Sequence, residues 1–408
     1  MKRTLITNIG MLATPQGTSA RGGRAQGEIC ILKNAWIFIE NDVIAQVGTG
    51  TAPAAVGVQI INAGGKLVTP GLVDAHTHLI FGGWRQNELA LKLHGAGYLD
   101  ILAAGGGILS TMRATKAASE EQLEAKASAA LDEMLRFGTT TAEAKSGYGL
   151  STGEECKALR VIGKLQKHHV MDLAATFMGA HAVPEAYRDN RQGYLELLCE
   201  EMLPAVWEQG IAEFCDVFCE KGVFSAEESR RILLAGRQHG LRPKIHADEI
   251  EAIGGSELAG EIGAVSAEHL IVCPPSGIAS MAEGGTVACC LPATSFYLGA
   301  AYAPVQDMVQ AGVPVAMATD FNPGSCPCLN MQLVISLGCL RYRLTPEQAL
   351  TAVTLNGAAA ICRADRIGSI EPGKQADILI WNAEDLDYIC YRLGSNLVDT
   401  VIKKGNVV

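Results

Sequence analysis

Eight short strand-like runs, each followed by a stretch that reads as loop and helix, constrain this chain more than any other feature. The runs lie at 72–75, 139–143, 173–178, 214–218, 243–246, 264–269, 287–291 and 315–319. Several are apolar without alternation, as strands covered on both faces must be. Three of the helices between them are clearly marked. Ser119, Glu120, Glu121 and Gln122 form a capping box ahead of Leu123, Leu131, Met134 and Leu135, and Gly138 stops the helix. Ser225 opens a second that ends at Gly240, and Thr345-Pro346-Glu347-Gln348 opens a third, with proline at the first helical position. Eight such strands with intervening helices predict an α/β fold, a (β/α)8 TIM-like barrel. An open doubly wound sheet is the alternative, but no Gly-x-Gly-x-x-Gly follows an early strand. Gly105-Gly106-Gly107 lacks a strand before it and reads as a flexible loop, a candidate lid.

The two ends differ from this middle. Runs of β character at 29–32, 35–39 and 43–47 are separated by Asn34 and by Asn41-Asp42. Runs at 377–381 and 397–403 share that composition and follow the turn Glu371-Pro372-Gly373-Lys374. Together they predict a small β-sandwich domain assembled from both termini, residues 1–68 and 361–408, flanking a barrel of 69–360.

Charge and cysteine usage narrow the function. A formal net charge of −10 disfavours nucleic acid and anionic membranes, which demand basic surface. It leaves room for an anionic small molecule, since one buried arginine can hold a carboxylate. The 13 cysteines are odd in number, and Cys215, Cys219, Cys289 and Cys290 sit inside strand-like runs, so a disulfide framework is not expected. Met1 to Asn8 read as a first strand, not a signal peptide. The uncharged stretch 284–306 carries Pro292, Gly299 and Pro304, which fit a buried strand and loop better than a membrane span. The expected location is cytoplasmic.

The chemistry lies where polar residues meet the strand ends. His76 and His78 follow the first strand at i and i+2, so both rings point to one side and can reach one ion. His246 ends the fifth strand, His269 the sixth and Asp320 the eighth. In a parallel barrel these ends share the face where barrel enzymes keep their active sites. Three neutral imidazoles and one carboxylate suit Zn²⁺ or a similar borderline metal with a position open for water. Asp320 could bind the metal through one oxygen and take a proton from water with the other. His269 is then free to orient the water or the substrate oxygen, and Glu249 is placed to accept a substrate N–H. His94, His168, His169 and His239 fall in helical or loop stretches and read as structural.

Pro70-Gly71-Leu72-Val73-Asp74-Ala75-His76-Thr77-His78 resembles the first-strand signature of the amidohydrolase superfamily. Within it the chain is similar to the imidazolonepropionases over nearly its whole length. The segments that carry the likeness include Phe81 to Arg85, Glu143 to Leu150, Phe177 to Pro184, His246 to Glu249, Ala267 to Leu270, Leu291 to Phe296 and Ala318 to Ser325. The resemblance implies hydrolysis of 4-imidazolone-5-propanoate to N-formimino-L-glutamate, with one Zn²⁺ or Fe per subunit and a homodimer. By position it makes His76, His78, His246 and Asp320 the metal ligands, with Glu249 and His269 working beside them. It places Arg85, Tyr148, His181, Asn322, Gly324 and Ser325 at the substrate; arginine suits the propanoate carboxylate. Ser325 stands where many relatives carry threonine, which keeps the hydroxyl.

Two features bear on rival readings. The fourth strand ends in Cys219-Glu220, without the lysine that bridges two metals in dihydroorotase-like relatives, and Lys145 follows the second strand instead. That favours one metal, with Glu220 as the residue to check. Cys326-Pro327-Cys328 lacks partners for a thiolate site and reads as loop. A different cyclic amidohydrolase or deaminase acting on a small carboxylate-bearing ring is the alternative within the class, and a non-catalytic barrel the alternative outside it.

Overall fold

A computed structural model describes residues 2–53, 57–94 and 106–408. Of the glycine cluster expected to be a flexible loop, Gly105 lies outside the described residues, whereas Gly106 is the N-cap and Gly107 the first residue of the helix Gly107–Ala117. From the N-terminus run β1 (Arg3–Thr14), β2 (Cys30–Glu40), β3 (Val43–Thr49), β4 (Gln59–Asn62) and β5 (Leu67–Pro70). Next come β6 (Leu72–Asp74), β7 (Thr139–Lys145), β8 (Asp172–Ala180), β9 (Phe214–Cys219), β10 (Arg242–Ala247), β11 (Ser266–His269), β12 (Val287–Cys290) and β13 (Val315–Met317). Finally β14 (Ile378–Trp381), β15 (Val398–Lys403) and β16 (Asn406–Val407) return to the flanking domain.

β6 to β13 are parallel neighbours in sequence order, as the eight strand-like runs predicted. The sheet closes on itself. A parallel bridge joins Thr77 to Phe321, His78 N–H donates to Phe321 C=O at 2.9 Å, and Asp320 N–H donates to His76 C=O at 3.1 Å. Closure thus runs through the residues that carry the candidate ligands. All three anticipated capping boxes, at Ser119, Ser225 and Thr345, are formed. The stretch 284–306 holds β12 and the helix Pro292–Leu298, and no described helix is long and apolar enough to cross a membrane.

The terminal strands hydrogen-bond into one mixed sheet, ordered β16-β15-β14-β5-β1-β2-β3 with β4 paired to β1. The runs expected separately at 29–32 and 35–39 are one strand, β2. Asn34 adopts φ 51° inside it and bends the strand without ending it. Trp381 Nε1 donates to Thr69 Oγ1 at 2.8 Å, tying β14 to β5 just before the chain enters the barrel.

A buried lysine joins the two parts. Lys403 of β15 is 1% exposed, and its Nζ lies 2.7 Å from Asp377 and 2.8 Å from Asp172 at the start of β8. Burial opposes ionisation of Asp172, but Lys403 and Lys404 outweigh it and hold its carboxyl down at about 2. Because the folded value is depressed, this stabilisation is present above the ordinary carboxylate range and lost as pH falls towards 2. Removing one member of a pair buried on both sides, as Lys403 and Asp377 are, costs about 3–5 kcal/mol. We therefore expect Lys403→Met to lower the melting temperature by roughly 5 °C or more at pH 7. The difference from wild type should shrink as the pH of a calorimetric series is taken down from 4 to 2.

Candidate active site

Four barrel strands, β6, β10, β11 and β13, deliver His76, His78, His246, His269 and Asp320 to one end of the barrel, all of them buried. His76 Nε2 lies 3.5 Å and His78 Nε2 3.6 Å from Asp320 Oδ1, and His246 Nε2 lies 3.3 Å from His78 Nε2. Donor atoms about 2.1 Å from a tetrahedral ion are about 3.4 Å apart, so these separations suit one ion. His76 Nε2 and Asp320 Oδ1 have no hydrogen-bond partner among the described residues. Buried acceptors are normally paired, and two left facing each other call for a cation between them. Burial is the main reason that the His76 and His78 rings stay well below the ordinary histidine pKa, so their nitrogen lone pairs are available. The side chain of His269 stands at the edge of the group, its ligand atom within 4.8 Å of those of His76 and His246.

Beneath the imidazoles lies a layer of charge that the strand-end reading did not anticipate. Glu143, Lys145, Asp216, Lys244 and Glu268 are all 0% exposed. Glu268 accepts from His76 Nδ1 at 2.9 Å and Asp216 from His246 Nδ1 at 3.1 Å, which fixes each tautomer and turns Nε2 towards the cluster. Lys145 Nζ bridges Asp216 at 2.7 Å and Glu143 at 2.8 Å; Lys244 Nζ bridges Glu143 at 2.9 Å and Glu268 at 3.3 Å. Burial opposes charging of both lysines, but the carboxylates outweigh it and hold both ammonium groups above their usual pKa. Lys145, expected beyond the second strand, is the last residue of β7, and its ammonium belongs to this layer. Glu220 Oε1 accepts from Lys221 N–H at 2.8 Å and Oε2 from Ile250 N–H at 2.9 Å, so it serves a loop and not the metal cluster.

The sequence carries a signal for these residues. Asp216 interrupts an apolar run, Lys244 precedes His246 by two positions, and Glu143 and Lys145 share one face at i and i+2. Thr294 was also missed; its Oγ1 donates to Asp320 Oδ2 at 2.7 Å, leaving Oδ1 for the imidazole side.

The residues expected at the substrate line the same end. His181 stacks on His78 with centroids 4.8 Å apart, and its Nδ1 donates to Gly147 C=O at 3.0 Å. Burial depresses His181 to about 3, so the ring is neutral with Nε2 as acceptor. The Tyr148 ring is 5.2 Å from His181 and 6.0 Å from His78, and burial pushes its phenol up, keeping it a donor. Glu249 Oε2 is 3.6 Å from His269 Nε2, and burial raises its carboxyl to about 7. Asn322 Oδ1 accepts from the N–H groups of Gly324 at 2.8 Å and Ser325 at 2.7 Å, while its Nδ2 donates to Asp320 C=O at 2.7 Å. Asn322 therefore builds the loop that carries Asp320, with Ser325 Oγ accepting from it at 2.9 Å. Cys326 is buried behind that loop.

Residues 67–408 match the model of the amidohydrolase family. The chain is 50% identical over 414 residues to the imidazolonepropionase of Alkaliphilus metalliredigens, covering 100% of this chain and 98% of that protein. It is 51% identical to the imidazolonepropionase of Alkaliphilus oremlandii, covering 99% and 97% respectively. Among solved structures, a zinc-bound adenosine deaminase from Xanthomonas campestris shares the fold with a TM-score of 0.71 at 20% identity, over 99% of this chain and 92% of that one. Atrazine chlorohydrolase from Arthrobacter aurescens TC1, complexed with zinc, gives 0.70 at 16% identity, over 99% and 94%. With a buried histidine–aspartate metal-binding cluster at the mouth of its barrel, and half its residues shared along its full length with these relatives, the chain belongs to the amidohydrolase family and, within it, to the imidazolonepropionases.

Proposed function

We propose that this site hydrolyses the ring amide of 4-imidazolone-5-propanoate to give N-formimino-L-glutamate, with one Zn²⁺ or Fe ion per chain. The observation that carries the reading is the convergence of three imidazoles and Asp320, with Arg85, Tyr148 and His181 beside them, in a chain so close to imidazolonepropionases. His76, His78, His246 and Asp320 would hold the ion. When bound it supplies Lewis acidity, bringing the pKa of water towards neutrality and polarising the ring carbonyl. Neutral nitrogen donors with one carboxylate suit zinc or a comparable borderline ion.

The remaining work falls to side chains. Asp320 Oδ2, steadied by Thr294, accepts the proton of the attacking water and hands it to the ring nitrogen as the C–N bond breaks. The water oxygen ends on the former carbonyl carbon, which becomes a carboxylate, and the nitrogen leaves as part of the formimino group. His269, neutral because burial holds it at about 4, orients the oxygen of the carbonyl or of the water. Glu249 accepts a ring N–H. Arg85 grips the propanoate carboxylate, Tyr148 donates its hydroxyl, and His181 offers Nε2. Asn322, Gly324 and Ser325 form the wall of the pocket on the Asp320 side.

The test is an absorbance time course with metal-loaded protein and freshly prepared imidazolone propanoate. Wild type should consume the ring chromophore, and Asp320→Asn should be slower by about 10²–10⁴-fold or more, as expected for loss of a positioned proton acceptor. An untouched ring with metal bound would remove the reading.

A pH series tests Glu249 separately. As the acceptor of a ring N–H it must be ionised, and burial places its titration at about 7. Since protonation below that value disables it, kcat/KM should fall tenfold per unit as pH drops below about 7 and level off above. Glu249→Gln should lose that limb along with most of the activity. A limb unchanged in position and slope in the variant would assign it to another group.

A further inference from the structure

Arg85 is held from two sides. On one, the chain at Gly324 comes so close that a Cβ there would fall 0.9 Å from Arg85 Nη2, so the guanidinium occupies the space a side chain would fill. On the other stands Glu88, one turn further along, with Oε2 3.9 Å from Arg85 Nε. That distance is an ion pair and not a hydrogen bond, and Arg85 Nε has no hydrogen-bond acceptor among the described residues.

Glu88 is itself fixed. It is only 4% exposed, and its Oε1 accepts the N–H of Gly107, first residue of the helix Gly107–Ala117, at 2.7 Å. A carboxylate so deeply placed is tolerable only when paired, and among the described residues the helix N-terminus and the guanidinium pair it.

We propose that Glu88 is a positioning residue for the substrate's carboxylate arm: by holding the Arg85 guanidinium against Gly324, it sets affinity for an anionic substrate without entering the ring chemistry. This rests on the assignment of Arg85 as the carboxylate anchor. A guanidinium already fixed in orientation loses less freedom when it closes on a carboxylate, which favours binding of the anionic arm over a neutral one. Glutamine at 88 breaks the arrangement in a defined way. Its amide oxygen can keep the bond to Gly107, but its NH₂ then faces the guanidinium, donor against donor.

Steady-state kinetics with Glu88→Gln, Arg85→Gln and the double variant decide the matter, using the propanoate substrate and its propanamide analogue. For the propanoate, Glu88→Gln should raise KM about 10–100-fold with kcat within about threefold of wild type. For the propanamide, KM should be unchanged by Glu88→Gln. In the Arg85→Gln background, adding Glu88→Gln should change KM less than about twofold, because the group it acts through is gone. A wild-type KM in Glu88→Gln, or an equal further loss in both backgrounds, would overturn the proposal. So would a fall in kcat and melting temperature with no KM selectivity, which is what a helix cap alone would give. Should the glutamine variant not fold, Glu88→Asp carries the same test, with a smaller rise in KM expected for the propanoate only. A wild type that leaves the ring intact would instead sink the underlying functional reading.

Discussion

Two lysines and three carboxylates shut inside a barrel, away from water, set the terms for everything above them. Lys145 and Lys244 face Glu143, Asp216 and Glu268, so the layer carries one net negative charge where it meets the imidazoles. Lys145 bridges carboxylates of β7 and β9 and Lys244 carboxylates of β7 and β11, and two of those carboxylates, Glu268 and Asp216, in turn accept hydrogen bonds from His76 and His246. Buried ion pairs are weak contributors to stability compared with apolar packing, yet costly to break, so their value here is orientation. They fix which nitrogen of each ring looks up at the metal position and which looks down. A divalent ion held there would balance Asp320 and the negative layer beneath.

The same closure that makes the barrel also strains its rim. His269, Leu270 and Asp320 have φ of 70°, 60° and 56°, and Asp248, two residues past His246, has 52°. Side chains other than glycine rarely adopt this left-handed region, and here they do so at the ends of three of the strands that build the site. The turn points His269 and Asp320 into the pocket, and hydrogen bonds from Asp320 N–H to His76 and from Leu270 N–H to Ala247 hold it. Asn322, by accepting three backbone N–H groups, stabilises the loop after Asp320.

Much of this was legible before any coordinates. Strands buried on both faces tend to be continuous apolar runs, as several of the eight are, and ligands placed just after such strands must share one end of a parallel barrel. The boundary at Asn34 was misjudged because asparagine serves equally in a turn and in a left-handed bend within a strand. The charged layer was not read because its pairings are set by register between strands. His76 meets Glu268 across 192 positions and His246 meets Asp216 across 30, and no local pattern states either. What the sequence did show was the oddity itself, a charge within an apolar run, and it went without a partner to explain it. The direction of Glu220 was likewise undecidable from position alone; the backbone N–H groups of residues 221 and 250 claim it.

The proposed metal site holds one ion on His76, His78, His246 and Asp320, with its imidazoles aimed by the carboxylates below. Diffraction from crystals grown with Zn²⁺, recorded on both sides of the zinc absorption edge, tests it most directly. A single anomalous peak is expected at about 2.0–2.2 Å from the three Nε2 atoms and Asp320 Oδ1. A second peak beside it, or an ion held by Glu220 or Lys145, would contradict it.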